Sequence, residues 1–199
     1  MSESATPLQR QLAGATARRP TALDAFVRAR RAFQAGRRLD MQALAADLGV
    51  NRATLYRWVG SRELLLREVI WSLTQRTIQR GLDLPRAGTG SRLASVLADF
   101  VRDVHTHPGM RRFLAEEGEF ALRLLTMGSG GYQPRIIELV RDLILEDAAA
   151  GLLRSPVPVD DLAYTVVRVI ESYVYLQVIT GEDPDPDRAG RVLQTLLPR

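Results

Sequence analysis

The stretch from Asp40 to Leu65, DMQALAADLGVNRATLYRWVGSRELL, limits what this chain can become more than any other. Asp40 is a good helix N-cap. Met41, Leu44, Ala45 and Leu48 follow at the i, i+3, i+4, i+7 spacing of one apolar helix face. Gly49 supplies the turn, because glycine takes a positive φ at little cost. Asn51 caps a second short helix, Arg52 to about Val59. Gly60 ends it, and Ser61 caps the next. Two short helices joined by a tight glycine turn form a helix-turn-helix pattern.

The second of these helices has the composition of a reader rather than of a core element. Its eight residues span about 12 Å, which suits the width of a DNA major groove. At about 100° per residue, Leu55 and Val59 coincide and can pack inwards, while Arg52, Ala53, Tyr56 and Arg57 face away and Thr54 and Trp58 lie at the flanks. A solvated charged helix is the plainer alternative. Two arginines, a tyrosine, a tryptophan and a threonine on so short a helix fit DNA readout better.

Charge placement points the same way. Residues 1–80 hold 14 Arg and 6 acidic residues, net +8, and the remainder holds 13 Arg and 17 acidic residues, net −4. A basic head on an acidic body suggests a polyanion-binding part joined to a part with another task. The chain has no cysteine and no lysine, which removes disulfides, thiol chemistry, Schiff bases and the P-loop lysine. No apolar run is long enough to cross a membrane and the N-terminus lacks a signal-peptide core, so a soluble cytoplasmic protein without membrane partners is expected.

Along the chain, residues 1–20 form a flexible arm, either a plain tail or a basic arm placing Arg10, Arg18 and Arg19 near DNA. Thr21 and Asp24 open the first helix as a capping box, and Gly36 closes it. The helix from Ser61 to about Gly81 buries Leu66, Val69, Ile70 and Leu73 and is long enough to serve as a mechanical link between two parts. Residues 83–90 mark a boundary between a domain over 21–82 and one over 90–199. Further helices are expected at 91–106, 110–117, 119–127, 132–150, 160–180 and 186–197, separated by Gly and Pro. The 160–180 helix is apolar nearly all round, as one packed by its own subunit and by a twin would be. No strand alternation is present, so the fold class is all-α.

The run GVNRATLYRWVGSRELL, residues 49–65, resembles the signature of the TetR family of bacterial transcriptional regulators: a glycine turn, a T-L-Y core, an aromatic or apolar stop, and S-K-E-x-L opening the fourth helix. The specific likeness covers about residues 21–70. In the second half, VRVIESYVY at 167–175 with TGEDPD at 180–185 looks like the C-terminal domain of QsdR-type members, which regulate genes for degrading lactone signals. The resemblance implies a TetR-like fold of nine to ten helices: a three-helix DNA-binding head and a helical body for ligand binding and dimerisation. It implies a homodimer on a palindromic double-stranded DNA operator, acting as a repressor released by a small, largely apolar effector such as a lactone or acyl compound, with no cofactor. Carried over by position, Arg52, Ala53, Arg57 and Trp58 would read base edges. Thr54, Tyr56 and Arg62 would bind phosphates, and Asn51 stands beside them at the helix start. Arg62 stands where Lys is commoner, and Trp58 where His or Tyr is. Asp40 replaces a Thr that often touches phosphate, and a carboxylate repels phosphate, so Arg37 or Arg38 is expected to take that contact.

Pocket walls are sought among Phe100, Val104, Phe113, Phe120, Leu124, Tyr132, Ile136 and Tyr175. Arg168 and Glu171, one turn apart, either pair structurally or orient a ligand. Leu162, Val166, Val169, Ile170, Tyr173, Leu193 and Leu196 are the candidates for a dimer face. His105 and His107 with Glu116 and Glu119 are too thin a set for a metal site, and no Ser/His/Asp spacing reads as a triad. The expected class is therefore not an enzyme. The competing readings are an enzyme on a small lactone or acyl compound, and a DNA-binding protein without a ligand.

Overall fold

The computed structural model describes residues 19–85, 91–128 and 131–199. Among them are ten helices and no strands: α1 (Ala22–Gln34), α2 (Met41–Leu48), α3 (Arg52–Val59), α4 (Arg62–Asp83), α5 (Arg92–Thr106), α6 (Pro108–Thr126), α7 (Tyr132–Ala149), α8 (Val159–Val174), α9 (Leu176–Thr180) and α10 (Pro186–Leu196). Arg10 and Arg18 of the basic arm lie outside the described residues.

The caps read from sequence are in place. The Thr21 backbone N–H donates to Asp24 Oδ2 at 2.8 Å, and Thr21 Oγ1 accepts from the Asp24 N–H. Asp40 Oδ1 accepts from the backbone N–H groups of Gln42 and Ala43 at 2.7 and 2.9 Å, and those bonds hold its carboxyl below the usual carboxylate range. Gly49 takes the left-handed conformation, φ 67° and ψ 30°, a region that penalises any Cβ. Asn51 Oδ1 accepts from the Thr54 N–H at 2.7 Å, and Ser61 Oγ from the Leu64 N–H at 3.1 Å.

Helices α1, α2 and α3 pack on one another around Ala25, Ala29, Phe33, Leu44, Ala45, Leu48 and Leu55, all buried. This head is joined to the rest by α4, which continues into the body and packs on α5. In the body α5, α7, α8 and α10 pack together, with α6 crossing between them and the head. The buried apolar residues of head and body form one continuous cluster from Ala25 to Leu197.

Two helix boundaries differ from the sequence expectation. The helices expected at 110–117 and 119–127 are one helix, α6, with a kink at Glu117 (φ −132°, ψ 33°). Glycine costs only about 1 kcal/mol inside a helix, and the buried Ala121, Leu124 and Leu125 beyond it carry the helix on. Gly118 is there for closeness: a Cβ at that position would lie 2.8 Å from Val178 Cγ2. The 160–180 helix, conversely, is two. Tyr175 leaves helical geometry (φ −101°, ψ 15°) between α8 and α9, and its ring is buried. The all-round apolar character of α8 is met largely within the subunit, where α7, α5 and α10 all pack against it.

Candidate DNA-reading face and ligand cavity

The fold sorts the side chains of α3 by face. Leu55 is fully buried under α1 and α4, with 0% of its surface exposed. Arg52, Ala53 and Arg57 are exposed; Thr54, Tyr56, Trp58 and Val59 are half-buried, and Tyr56, Trp58 and Val59 lean on the core. The Arg52 guanidinium sits 5.8 Å from the centre of the Tyr56 ring, so those two side chains form one cationic, aromatic surface. Asn51 commits its side-chain oxygen to the helix cap and keeps its amide N–H groups free of that bond. Arg37 and Arg38 are exposed at the entry to α2.

Arg62 takes a different course. Its Nε donates to the Leu39 carbonyl at 3.0 Å and its Nη2 to Glu117 Oε1 at 2.9 Å, and its guanidinium lies 5.6 Å from the Phe120 ring centre. Arg62 therefore ties the start of α4 to the α1–α2 connection and to the kink of α6.

The body encloses a cavity of about 240 Å³, the volume of about eight liquid waters. α4 contributes Ile70, Leu73, Thr74, Thr77 and Arg80 to its wall. Phe100, Asp103 and Val104 come from α5, and Met110 and Leu125 from α6. Tyr132 and Ile136 of α7 close one side, and Val167, Ile170, Glu171 and Val174 of α8, with Tyr175, close another. Of the residues read as pocket candidates, Phe100, Val104, Tyr132, Ile136, Glu171 and Tyr175 line this space; Phe113, Phe120, Leu124 and Arg168 do not. Phe113 and Phe120 instead pack edge to face in the α6 region, with ring centres 6.0 Å apart. The α4 wall was missed because its apolar and threonine residues carry no periodic signal apart from that of an ordinary core helix.

The polar groups of the cavity are strongly perturbed by burial. Tyr132 and Thr74 hydroxyls share a 2.7 Å hydrogen bond, and burial pushes the Tyr132 phenol up to about 12. Both Glu171 oxygens are buried, and the polar groups beside them are Arg168 and the Gln133 side chain. Arg168 Nη1 lies 2.7 Å from Glu171 Oε2, but not in hydrogen-bonding alignment, and Arg168 is itself exposed. Burial outweighs Arg168 and the Gln133 side-chain hydrogen bond and pushes the Glu171 carboxyl up to about 7. Such a carboxyl stabilises the fold while protonated. From the unfolded value of about 4.5 up to the folded one, the folded state holds a proton that the unfolded state has lost, so stability falls as pH rises to about 7. Glu171→Gln is expected to remove this part of the slope. At pH 8 it should gain on the order of 1–2 kcal/mol, allowing for solvent reaching the carboxyl through the cavity. Urea unfolding of both proteins at pH 5 and pH 8 measures this, and parallel pH profiles would refute it.

Both histidines make contacts within the fold, and His107 also lines the cavity. His105 Nε2 lies 3.2 Å from the Tyr173 carbonyl, and His107 Nδ1 accepts from the Met110 N–H at 3.3 Å as the cap of α6. Burial lowers the pKa of both. Among the dimer candidates, Leu162, Val166, Ile170 and Leu193 are buried inside the subunit, and Ile170 lines the cavity. Val169, Tyr173 and Leu196 keep exposed surface, and Tyr164, 53% exposed, adds to it on α8. Among the described residues no helix is long and apolar enough to cross a membrane.

Comparison with known proteins places these features in a family. No curated protein matches the chain. The chain is similar to the structure of the R. erythropolis transcriptional repressor QsdR from the TetR family, at 27% identity and a TM-score of 0.77, over 88% of this chain and 93% of that one. It shares its fold with the multidrug binding protein EbrR complexed with imidazole, at 20% identity and a TM-score of 0.53, over 89% and 95% of the two chains. Residues 89–198, more than half of the chain, match the model of the tetracyclin repressor-like C-terminal domain. The chain belongs to the TetR family.

Proposed function

We propose that this protein is a ligand-responsive transcriptional repressor that binds a palindromic operator as a homodimer and is released by a small, largely apolar effector. The observation that carries this reading is the course of α4. Its first turn is bonded to the head beside α3, and its later turns, from Ile70 to Arg80, wall the cavity. One rigid helix therefore touches both the reader and the space a ligand would fill, so an occupant that displaces α4 also displaces α3.

The proposed contacts follow from exposure and chemistry. Arg52 and Arg57 can each give a bidentate contact to guanine, and Ala53 can meet a thymine methyl. Arg37, Arg38, Thr54 and Tyr56 hold phosphates, with Arg38 offsetting the repulsion from Asp40. The dimer face we propose is the exposed side of α8 and α10, with Tyr164, Val169, Tyr173 and Leu196. Inside the cavity, protonated Glu171 and the Tyr175 hydroxyl can donate to the carbonyl oxygen of a lactone or acyl compound, while Phe100, Val104 and Ile136 cover its chain. QsdR is a repressor by its own description, and the likeness supports the repressor assignment here.

Selection of duplexes from a random pool tests the DNA half of the proposal. It should enrich a palindrome whose half-sites are about one helical turn, or a multiple of it, apart. Affinity should fall steeply with salt as phosphate contacts release counterions. Enrichment of a single unpaired half-site by a monomer would overturn the architecture.

A further inference from the structure

Arg62 opens α4 next to the reading helix, yet its guanidinium is spent inside the molecule. With Arg38, Asp40, Gln42 and Arg52 it lines a groove on the head, and Arg52 is the first residue of α3. The groove therefore meets the start of the reading helix. Only 20% of the Arg62 side chain is exposed, and its partner Glu117 is 13% exposed. Arg38 Nε approaches the same Glu117 oxygen at 3.6 Å, with most of its side chain in solvent. Glu117 is also the one residue of α6 with non-helical backbone angles, so the kink sets the position of this carboxylate.

We propose that Glu117 acts as an internal stand-in for a DNA phosphate, holding Arg62 back from the DNA backbone. A carboxylate and a phosphate present similar pairs of oxygens to a planar guanidinium, and each can take two of its N–H groups. The Leu39 carbonyl holds Nε, leaving the Nη groups to swing about that bond. While Glu117 holds Nη2, releasing it costs part of the gain from the phosphate, so the pair lowers affinity for every sequence equally. The helix carrying Glu117 also walls the cavity through Met110 and Leu125. A change of bend at Glu117 on filling the cavity would therefore alter the hold on Arg62. This inference rests on the DNA-binding reading above.

The test is a salt titration of duplex binding by the full-length protein, Glu117→Gln, Glu119→Gln and the double variant Glu117→Gln/Arg62→Gln. The duplex is one enriched from a random pool by the unaltered protein. Glutamine keeps an acceptor for Arg62 but removes the charge, so the fold should survive; thermal melts check this. Freeing one arginine per subunit adds two phosphate contacts per dimer, which steepens the log–log salt slope by roughly 1.8. The loss of affinity between 50 and 200 mM salt should then grow by about tenfold in Glu117→Gln. Glu119, exposed on the same helix, removes an equal charge without touching Arg62, so Glu119→Gln should keep the original slope. The double variant should return to it as well. Equal slopes for Glu117→Gln and the unaltered protein would overturn the proposal while leaving DNA binding intact. Equal steepening in Glu117→Gln and Glu119→Gln would reduce the effect to bulk charge and overturn it too. Failure to enrich any duplex would remove the DNA-binding reading itself, and the proposal with it.

Discussion

Gly109→Ala is expected to destabilise the protein by about 3 kcal/mol, the upper end for overpacking a tight site. Gly109 stands in the first turn of α6, where a Cβ would meet the Phe33 carbonyl oxygen at 2.1 Å, Phe33 Cδ1 at 2.8 Å and the Phe33 carbonyl carbon at 2.9 Å. Two of those atoms are backbone and cannot turn aside. That carbonyl also accepts from the Gly36 N–H at 2.9 Å at the end of α1, so moving it breaks the turn that leads to α2. The Phe33 side chain is fully buried, stacked with His107 at 6.0 Å and edge-on to Phe113 at 6.2 Å. Relief of the clash therefore requires α1 and α6, the head and the body, to part. The melting temperature should drop by roughly 6–12 °C for a chain of this size. Gly190→Ala is the control: its Cβ would meet only the Ala98 Cβ, at 3.3 Å, and a loss under about 1 kcal/mol is expected. Similar melting temperatures for the two variants would contradict the close approach of α1 and α6.

Arg57→Ala is expected to have the largest effect on sequence choice. Arg57 is exposed on the face of α3 opposite the buried Leu55, so removing its side chain leaves the core untouched and the melting temperature within about 1–2 °C. Its loss should erase preference at one base pair in each half-site, worth roughly 1–3 kcal/mol of discrimination per half-site. Tyr56→Phe should act differently. It removes one hydroxyl from a half-buried ring, so binding should weaken evenly across sequences. Competition between enriched and singly altered duplexes measures both. If the base profile of Arg57→Ala matched that of the unaltered protein, another residue would be the reader at that position.

Much of the head was legible in the chain because its signals are local. The Thr21–Asp24 capping box, the Asp40, Asn51 and Ser61 caps and the Gly49 turn each depend on atoms within a few residues. Helix faces such as Met41, Leu44, Ala45 and Leu48 follow from a period that the chain itself carries. The placement of Leu55 inward and of Arg52, Ala53 and Arg57 outward needed only that period and a neighbour to pack against.

The body was less legible, and its misreadings share a cause. Gly118 reads as a break, because glycine lowers local helix stability, whereas the break at Pro108-Gly109 is present: α5 ends at Thr106 and α6 begins at Pro108. In the structure Gly118 instead permits the close approach of Val178, and the burial of Ala121, Leu124 and Leu125 beyond it outweighs the local penalty. The run at 160–180 carries a helical period without a mark where it must stop, and the burial of the Tyr175 ring accompanies the break there. Leu162, Val166 and Leu193 looked available to a twin because apolarity does not say which neighbour it will meet.

By itself, then, the sequence determined an all-helical chain with a basic helix-turn-helix head, through caps, turns and periodicities that act over one or two helical turns. Only the tertiary structure decided that α4 walls the cavity, that Glu171 is buried against it, and that Arg62 reaches Glu117. Those pairings join residues far apart in the chain, and charge and burial at one position carry no mark of the partner that folding brings to it.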